Sequence, residues 1–416
     1  NNEPTAVTAI SHVKPSIYVK GEEYKDHDKD VTGKISEEVE TVKKFGGQIY
    51  YTDDIVFSSS SLINQFIEQR SEELEVFLTS LKKEFSANDI IEKLETLKKL
   101  KVVIIGDAII DEYQYVTPLG QSGKGLHMSA VCKENDVFLG GSFAVANHLA
   151  EFVDDITLIT SVGKECLFKD KINQDLSKNI KPIYIPSINQ DTLTKKRYVM
   201  KDGQQYTKLF ETYSSNDQIL NNSYKKNLIE QIRKYSENCD LLLVTDFGNG
   251  FIDDDVAEEI NKINTFKAIN AQTNSGNRGF NLITKYQNAS FISINEPEAR
   301  LATHLSQDKI DKVIEKLSKE IKVKNISITS GVRGVLCFSD TKLTSRIPAL
   351  STNAVDRVGA GDSYLALASV CLAAGWCHEL SGFLGAMAAA MNVQTIGNQV
   401  PTKKSALSKF LIRLMK

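Results

Sequence analysis

The stretch KVVIIGDAIIDEY, residues 101–113, is the strongest indication of the fold of this chain. Its apolar residues lack the alternation of a half-exposed strand, which is typical of a parallel strand buried on both faces. Similar runs recur later: ITLITSVG (156–163), LLLVTDFG (241–248), FISINEPE (291–298) and ISITSGVRG (326–334). Helical stretches separate them, including FAVANHLAEF (143–152) and DKVIEKLSKEI (311–321). This alternation predicts an α/β fold with a doubly wound, mostly parallel sheet flanked by helices.

Two segments, 113–141 and 194–213, break this pattern with polar alternation and turns. We expect them to form a small β lid over the strand ends, where open α/β sheets bind their ligands. A lid at that place would keep water away from the site beneath it.

Composition restricts the class of protein. The chain has 416 residues, 41% hydrophobic residues and a net charge of −3, which suggests more than one domain and no nucleic-acid partner. Its six cysteines form no CxxC pair and indicate reduced thiols in a cytoplasmic protein. No apolar run reaches membrane-spanning length, so we expect no membrane association.

The amino-terminal residues 1–66 differ from the rest. SIYVKG (16–21) and GGQIYYTDD (46–54) predict short strands, and SSSSLINQF (58–66) predicts either a serine-capped helix start or a polar loop. Residues 67–97 are charged with helical periodicity and predict a helical linker. The sheet domain would then span 98–416.

The stretch AVDRVGAGDSYLALASV, residues 354–370, has two interpretations. Asp362 could cap a helix, with the glycines supplying unusual backbone angles. Alternatively, the N–H groups of Gly359, Ala360 and Gly361 form an anion cradle before a helix, and Asp362 takes a proton from an attacking hydroxyl. Most other chemically suggestive residues follow predicted strands, which favours the second interpretation.

Taken together, five motifs resemble those of the ribokinase-like (pfkB) carbohydrate kinases, in the order of that family. They are GDAIIDEYQY (106–115), FLGGSFAVA (138–146), SINEPE (293–298), ITSGVRG (328–334) and GAGD (359–362). Within the family, the likeness is greatest to bacterial heptose-phosphate kinases. The resemblance implies ATP- and Mg²⁺-dependent phosphorylation of a sugar or sugar phosphate, with a heptose phosphate favoured, in activated-sugar or cell-surface polysaccharide synthesis.

The resemblance also implies roles for individual residues. Asp362 would be the base, and Gly359, Ala360 and Gly361 would hold the transferring phosphoryl group. Substrate contacts would come from Asp107, Asp111, Gly140, Gly141 and Arg197, with Arg197 pairing with a substrate phosphate. For Lys208, a solvated basic surface is the simpler interpretation. His127 and His148 show no partner in the sequence and receive no role.

Two further sets have structural alternatives. Thr329, Gly331 and Gly334 would border the nucleotide, although a plain hairpin turn explains them as well. Asn295 and Glu298 would organise Mg²⁺ through water. Without the resemblance, a helix N-terminus with Glu298 in its first turn is the preferred interpretation of that pair.

The amino-terminal segment resembles the last part of a cytidylyltransferase-like nucleotidyltransferase domain, on AVTAISHVKPSIYVKGEEY (6–24) and SSSSLINQF (58–66). The His-x-Gly-His motif of that family does not occur here, so we expect this segment to be inactive by itself. Bifunctional heptose enzymes carry both activities, so the chain could be the carboxyl-terminal part of such a protein.

Several positions depart from the kinase pattern: Ala144, Asn249, Asn270-Ala271-Gln272, Arg357 and Ala386. They indicate changed specificity or, alternatively, a non-catalytic scaffold that binds nucleotide or sugar. Arg357 could reach a phosphate or point to solvent. Apolar alternation in the second lid segment is compatible with a homodimer paired through the lid.

Overall fold

The computed structural model describes residues 6–21, 35–52, 71–186, 191–202, 205–214, 221–277, 279–351 and 354–416. The chain divides into two compact units, Asn1–Gln69 and Arg70–Lys416. The helix start predicted at 58–66 lies outside the described residues. Across the ranges given above, no helix combines the length and apolar character needed to cross a membrane.

The smaller unit is built around two parallel strands. Its elements are α1 (Val7–Val13), β1 (Ile17–Gly21), α2 (Ile35–Lys44) and β2 (Gln48–Thr52), and β2 pairs with β1 in parallel. One face of α2 buries Ile35, Glu38 and Val42 because residues at this spacing lie on the same side of a helix. Lys20 compensates the buried Glu38 carboxylate with an ion pair of 2.7 Å. Both strands lie where the sequence predicted short strands.

The larger unit begins with two charged helices, α3 (Glu72–Glu84) and α4 (Ala87–Thr96). Ser71 caps α3 by accepting a hydrogen bond from the Leu74 N–H. Ser86 and Asp89 form a reciprocal capping box at the start of α4. The extended backbone at Phe85 and Ser86, together with the Ser86 capping box, separates the two helices.

The strands of the larger unit form two sheets. They are β3 (Lys101–Gly106), β4 (Ala108–Gln121), β5 (Met128–Gly141), β6 (Asp155–Val162), β7 (Ile180–Pro186), β8 (Thr194–Asp202), β9 (Gln205–Tyr213), β10 (Leu241–Asp246), β11 (Lys267–Ala271), β12 (Phe291–Asn295), β13 (Asn325–Thr329), β14 (Val335–Ser339) and β15 (Lys342–Ile347). The main sheet has nine strands in the order β15-β14-β13-β12-β11-β10-β3-β6-β7. Within this sheet, β14 runs in the direction opposite to that of the other eight described strands. The predicted mostly parallel sheet is confirmed.

Helices cover this sheet. They are α5 (Ser142–Ala150), α6 (Lys169–Asp175), α7 (Asn222–Ser236), α8 (Asp254–Lys262), α9 (Glu296–Thr303), α10 (Ile310–Ile321), α11 (Ala360–Ala373), α12 (His378–Asn392) and α13 (Lys404–Leu414). The buried residues of α10, for example, are Val313, Ile314, Leu317 and Ile321, the apolar stripe of an amphipathic helix. In contrast, α11 is buried over most of its length, which explains its run of small apolar residues.

The run 101–113 forms two strands rather than the single strand expected. β3 pairs with β6 and β10 and ends at Gly106, whereas β4 begins at Ala108 and pairs with β5 in the second sheet. Asp107 therefore joins the two sheets. The sequence did not show this break because residues 108–111 are as buried as β3 itself.

The second sheet has the order β5-β4-β8-β9 and contains both predicted lid segments. β4 pairs antiparallel with β5 and parallel with β8, and β9 returns antiparallel to β8. Because β4 continues directly from β3, this lid sheet starts at the carboxyl end of a central strand of the main sheet.

Candidate active site

The turn before α11 exposes free backbone donors. Gly359 is the N-cap of α11 with φ of +85°, a conformation that residues with a Cβ rarely adopt. Hydrogen bonding within the helix begins at Ser363, whose N–H donates to the Gly359 carbonyl at 2.9 Å. The N–H groups of Ala360, Gly361 and Asp362 therefore have no partner inside the helix, and the positive end of its dipole lies at the same place. This turn is suited to holding an anion.

Asp362 stands at the rim of this turn with a free carboxylate. No side chain caps α11, and among the described residues the Asp362 carboxylate makes no hydrogen bond, so it does not act as a helix cap. Burial raises the pKa of Asp362 to about 7, helped by the nearby Asp111 carboxylate and opposed by Lys195. A carboxyl group with this pKa can accept a proton near neutral pH.

A cavity of about 220 Å³ adjoins the turn. Its lining includes Thr329, Gly331 and Gly334 together with Ala360 and Gly361. The structure thus brings the residues predicted to border a nucleotide next to those predicted to hold its phosphates. Most of the remaining lining is apolar, including Val332, Val335, Leu350 and Ala389, which suits the flat face of a base.

The turn that contributes these glycines is also the hairpin between β13 and β14. Gly331–Arg333 form one turn of 3₁₀ helix, and the Ser330 N–H donates to the Gly334 carbonyl at 2.9 Å. The segment is therefore a hairpin turn, as one interpretation of the sequence predicted, and it also lines the cavity. That these residues border a nucleotide stays a prediction.

Two buried polar atoms that follow strands of the main sheet lack partners among the described residues. Asp107 Oδ2 accepts a hydrogen bond from the Phe247 N–H at 2.7 Å, but Asp107 Oδ1 has no partner among the described residues. Burial and the neighbouring Asp246 raise the pKa of Asp107. Asn249 Nδ2 is likewise buried and unpartnered in the described part of the chain. Such atoms cost free energy unless a ligand or water satisfies them, so this region can receive hydroxyl groups.

Asp111 and Arg197, both predicted to contact substrate, contact each other. The Arg197 guanidinium donates to Asp111 at 2.5 Å, and its Nε lies 3.3 Å from the Glu211 carboxylate. Gly140 gives room to this pair, because a Cβ there would lie 2.1 Å from Asp111 Oδ2. Gly141 is the N-cap of α5. Arg197 is thus paired with two carboxylates of the protein itself.

Asn295 and Glu298 form a capping box at the start of α9. The Glu298 carboxylate accepts the Asn295 N–H at 2.9 Å and the Thr273 N–H at 3.3 Å, and burial raises its pKa to about 7. Within the described ranges, no three His, Cys, Asp or Glu side chains stand close enough to share a metal ion. The pair does not form a metal cage, but a carboxylate with spare lone pairs fits a Mg²⁺ ion held by nucleotide phosphates and reached through water.

Comparison with known proteins identifies the family. The sequence pattern described as "pfkB family carbohydrate kinase" matches residues 99–405. The chain belongs to the pfkB family of carbohydrate kinases. The matched range covers the main sheet and the lid sheet of the larger unit.

Relatives of this pfkB kinase include the bifunctional protein HldE of Campylobacter jejuni (strain RM1221). It is 27% identical over 308 residues, which cover 72% of this chain and 62% of HldE. The HldE protein of a Nitratiruptor species is 22% identical over 309 residues, 73% of this chain and 63% of that protein. The chain thus spans less than two thirds of the length of these relatives.

A solved structure supports the fold of this pfkB kinase. The ribokinase of Thermotoga maritima has a TM-score of 0.55 at 20% identity, covering 75% of this chain and 99% of its own. This likeness confirms the ribokinase-like α/β fold that the resemblance implied.

Sequence reasoning missed or misjudged several residues of this pfkB kinase. Lys208 is exposed, as its interpretation as a basic surface residue expected, but its ammonium also pairs with the buried Asp356, which the sequence did not indicate. Asp246, which received no role, is buried and accepts hydrogen bonds from Tyr286 and Asn281. His148 is not without a partner: its Nδ1 accepts the Thr402 N–H at 3.0 Å. Only the position of Asp246 directly after an apolar run gave a usable signal.

Lys195 is a further residue that the sequence did not single out. It is 6% exposed, and in the part of the chain that the structure describes its ammonium has no hydrogen bond or carboxylate within 4 Å. It lies 5.5 Å from the ring centre of Tyr213 and 5.8 Å from that of Phe247. Asp111, Glu211 and Asp107 interact with this charge at longer range. Because none of them contacts the ammonium directly, Lys195 can still form an ion pair with a ligand anion.

Proposed function

We propose that the Arg70–Lys416 unit transfers the γ-phosphoryl group of ATP to a hydroxyl of a sugar or sugar phosphate. The free Asp362 carboxylate beside the unpaired N–H groups of the Gly359 turn carries this proposal. The cavity lined by Thr329 and Gly334 adjoins that turn, and the unpartnered Asp107 oxygen supports an acceptor site at the end of β3.

The chemistry follows from this arrangement. Asp362 takes the proton of the acceptor hydroxyl while that oxygen forms a bond to the γ-phosphorus, and the bond from phosphorus to the β–γ bridging oxygen breaks, with its electron pair leaving on ADP. Backbone N–H groups of the turn and the α11 dipole stabilise the charge on the transferring group. Mg²⁺, reached through Glu298 and water, would neutralise the phosphates. Arg357 lines the same cavity and has no partner among the described residues, which suits a phosphate contact.

A phosphorylated acceptor is supported by Lys195 rather than by Arg197. Arg197 is paired with Asp111 and Glu211, whereas Lys195 is buried with its charge uncompensated by any described carboxylate within 4 Å. We therefore favour a sugar phosphate of the heptose-phosphate kind, in the synthesis of activated sugars. Because these relatives are bifunctional proteins, we also make a second proposal for the parent protein: that the kinase acts together with a nucleotidyltransferase part.

The function is tested by measuring ADP release with Mg·ATP across matched pairs of free sugars and sugar phosphates. We expect turnover with at least one acceptor and a preference of about 10-fold or more in kcat/KM for the phosphorylated member, from one charge-assisted contact. The Lys195→Met variant should lose this preference while keeping turnover of the free sugar. Thermal stabilisation by ATP without ADP release for any acceptor would instead support the scaffold.

Pairing of two chains through the lid stays a prediction. Four large apolar side chains are exposed at the far end of the β4–β5 hairpin: Leu119, Leu126, Met128 and Val131. We expect a dimer whose mass, measured by light scattering, falls to that of a monomer in Leu126→Asp. A monomeric mass for the wild-type protein over a wide concentration range would contradict this prediction.

A further inference from the structure

Asp356 is a buried carboxylate just before the glycine turn that receives hydrogen bonds from four parts of the chain. Its Oδ1 accepts from the Val358 N–H at 3.1 Å and from the Lys208 ammonium at 2.5 Å. Its Oδ2 accepts from the Tyr113 hydroxyl at 2.6 Å and from the Gly397 N–H at 3.0 Å. A carboxylate offers about four lone-pair sites, so these donors hold it in one orientation.

Two of the donors come from the lid sheet. Tyr113 lies on β4 and Lys208 on β9, on opposite sides of β8. The Lys208 ammonium is 5.8 Å from the centre of the Tyr113 ring, and that ring packs edge-on against Phe138 of β5 at 5.4 Å. Three of the four lid strands therefore contribute side chains to this contact.

The other two donors belong to the active-site side. Val358 directly precedes Gly359, and Gly397 lies in the segment that follows α12. The Val355 and Asp356 N–H groups both donate to the Val393 carbonyl, which anchors the same stretch to the end of α12. The orientation of the Asp356 carboxylate thus sets the path of the chain into the turn that exposes the free N–H groups.

The lid also provides the countercharge of this carboxylate. Burial alone would raise the pKa of Asp356, but the lysine and tyrosine of the lid hold that pKa below its usual value. Among the described residues, the cation that forms an ion pair with Asp356 is Lys208. Removing it would leave a buried charge without its partner, a state that proteins avoid by local rearrangement.

We propose that Lys208 and Tyr113 are positioning residues through which the lid fixes the glycine turn for phosphoryl transfer. The inference rests on the proposed kinase function and adds to it that the phosphoryl-binding turn is complete only when the lid strands contact Asp356. Neither residue touches the reacting atoms; both act through the Asp356 carboxylate. Such a coupling ties transfer to an enclosed site, where water competes less with the acceptor.

Steady-state kinetics of Lys208→Met and Tyr113→Phe test the inference, with Lys196→Met and Tyr115→Phe as matched controls. Lys196 pairs with Glu112 and Tyr115 bonds to Asp136, so both control contacts remain within the lid. We expect kcat to fall about 10- to 100-fold in Lys208→Met and about 3- to 10-fold in Tyr113→Phe, with acceptor KM within about threefold. The controls should stay within about twofold of wild type in both constants. A rise in acceptor KM at unchanged kcat would overturn the inference, since it would mean that the lid only encloses the sugar.

Amide hydrogen exchange tests the same contact without activity. The Val358 and Gly397 amides should exchange at least about 10-fold faster in Lys208→Met and Tyr113→Phe than in wild type and both controls, because they lose a fixed acceptor. Equal exchange in all these proteins overturns the positioning role whatever the kinetics. Faster exchange in the two variants, together with a wild-type protein that phosphorylates no acceptor, would refute the kinase function and leave the positioning contact standing.

Discussion

Replacing Asp362 with Asn is expected to lower kcat by about 10²- to 10⁴-fold, the range that a lost general base produces. The amide has nearly the shape of the carboxylate but cannot take the proton of the acceptor hydroxyl. Asp362 lies at the free end of α11 and has no hydrogen-bond partner among the described residues. Its charge therefore does not contribute to holding the fold together. ADP release at saturating ATP and acceptor measures the effect.

The pH dependence of wild-type kcat/KM provides the control for this assignment. Burial raises the pKa of Asp362 to about 7, so the protonated, inactive form dominates below that pH and the basic form above it. We expect kcat/KM to rise with pH through about 7 and the residual rate of Asp362→Asn to lack this rise. If the Asn variant keeps more than about a tenth of the wild-type kcat, Asp362 is not the general base.

Stability distinguishes this loss from misfolding. A carboxyl group whose pKa is raised on folding contributes stability at low pH, which is lost as the pH rises through the folded pKa of about 7. At about pH 8 the charged Asp362 therefore opposes folding, and the neutral Asn does not. The inactive variant should be at least as resistant to urea as wild type at that pH. A variant that is both inactive and destabilised would not support the catalytic role.

Gly334→Ala is expected to destabilise the larger unit by about 2–5 kcal/mol and to abolish nucleotide-induced stabilisation. Gly334 has φ of +81°, and a Cβ there would lie 2.0 Å from the Ile347 carbonyl oxygen and 2.8 Å from the Ala349 nitrogen. Both atoms belong to the backbone, so β15 and the following chain would have to move. That movement would reshape the cavity lined by Gly334 and Pro348. Urea unfolding and ATP-dependent thermal shifts measure the two effects.

Gly331→Ala is the matched control in the same turn. Gly331 also has a positive φ, +57°, but a Cβ there would meet no atom within 4 Å. Its expected cost is only the backbone strain of about 1–2 kcal/mol. Equal destabilisation of the two variants would show that crowding against the chain at Ile347–Ala349 contributes nothing.

The sequence predicted the main sheet well because buried parallel strands leave an unmistakable pattern. The runs at 156–163, 241–248 and 291–298 became β6, β10 and β12 at nearly the predicted bounds. The same pattern failed at residue 107, since β3 in the main sheet and the buried start of β4 in the lid sheet are equally apolar. Burial determines apolar character, but the neighbouring strands determine which sheet a residue joins.

For the candidate site, the motifs indicated which residues meet, but not how their charges pair. Strand alternation places Lys195 and Arg197 on the same face of a strand. Only the folded structure shows that Asp111 and Glu211 lie beside Arg197. Lys208 and Asp356 are far apart in the chain, and no local pattern links them. Ion pairs between distant segments form only when the lid packs over the sheet. The periodicity of a single sequence does not reveal this packing.

The β4–β5 hairpin leaves and re-enters the main domain at nearly one point, because the Ser142 N–H donates to the Asp107 carbonyl at 2.9 Å. A loop whose two ends are already held together can change length at its tip with little entropic cost to the rest of the chain. The hairpin tip can therefore be lengthened, shortened or exchanged at little structural cost, whereas a change at the joint would disturb both sheets. New acceptors or assemblies could arise in this way without disturbing the phosphoryl-transfer chemistry.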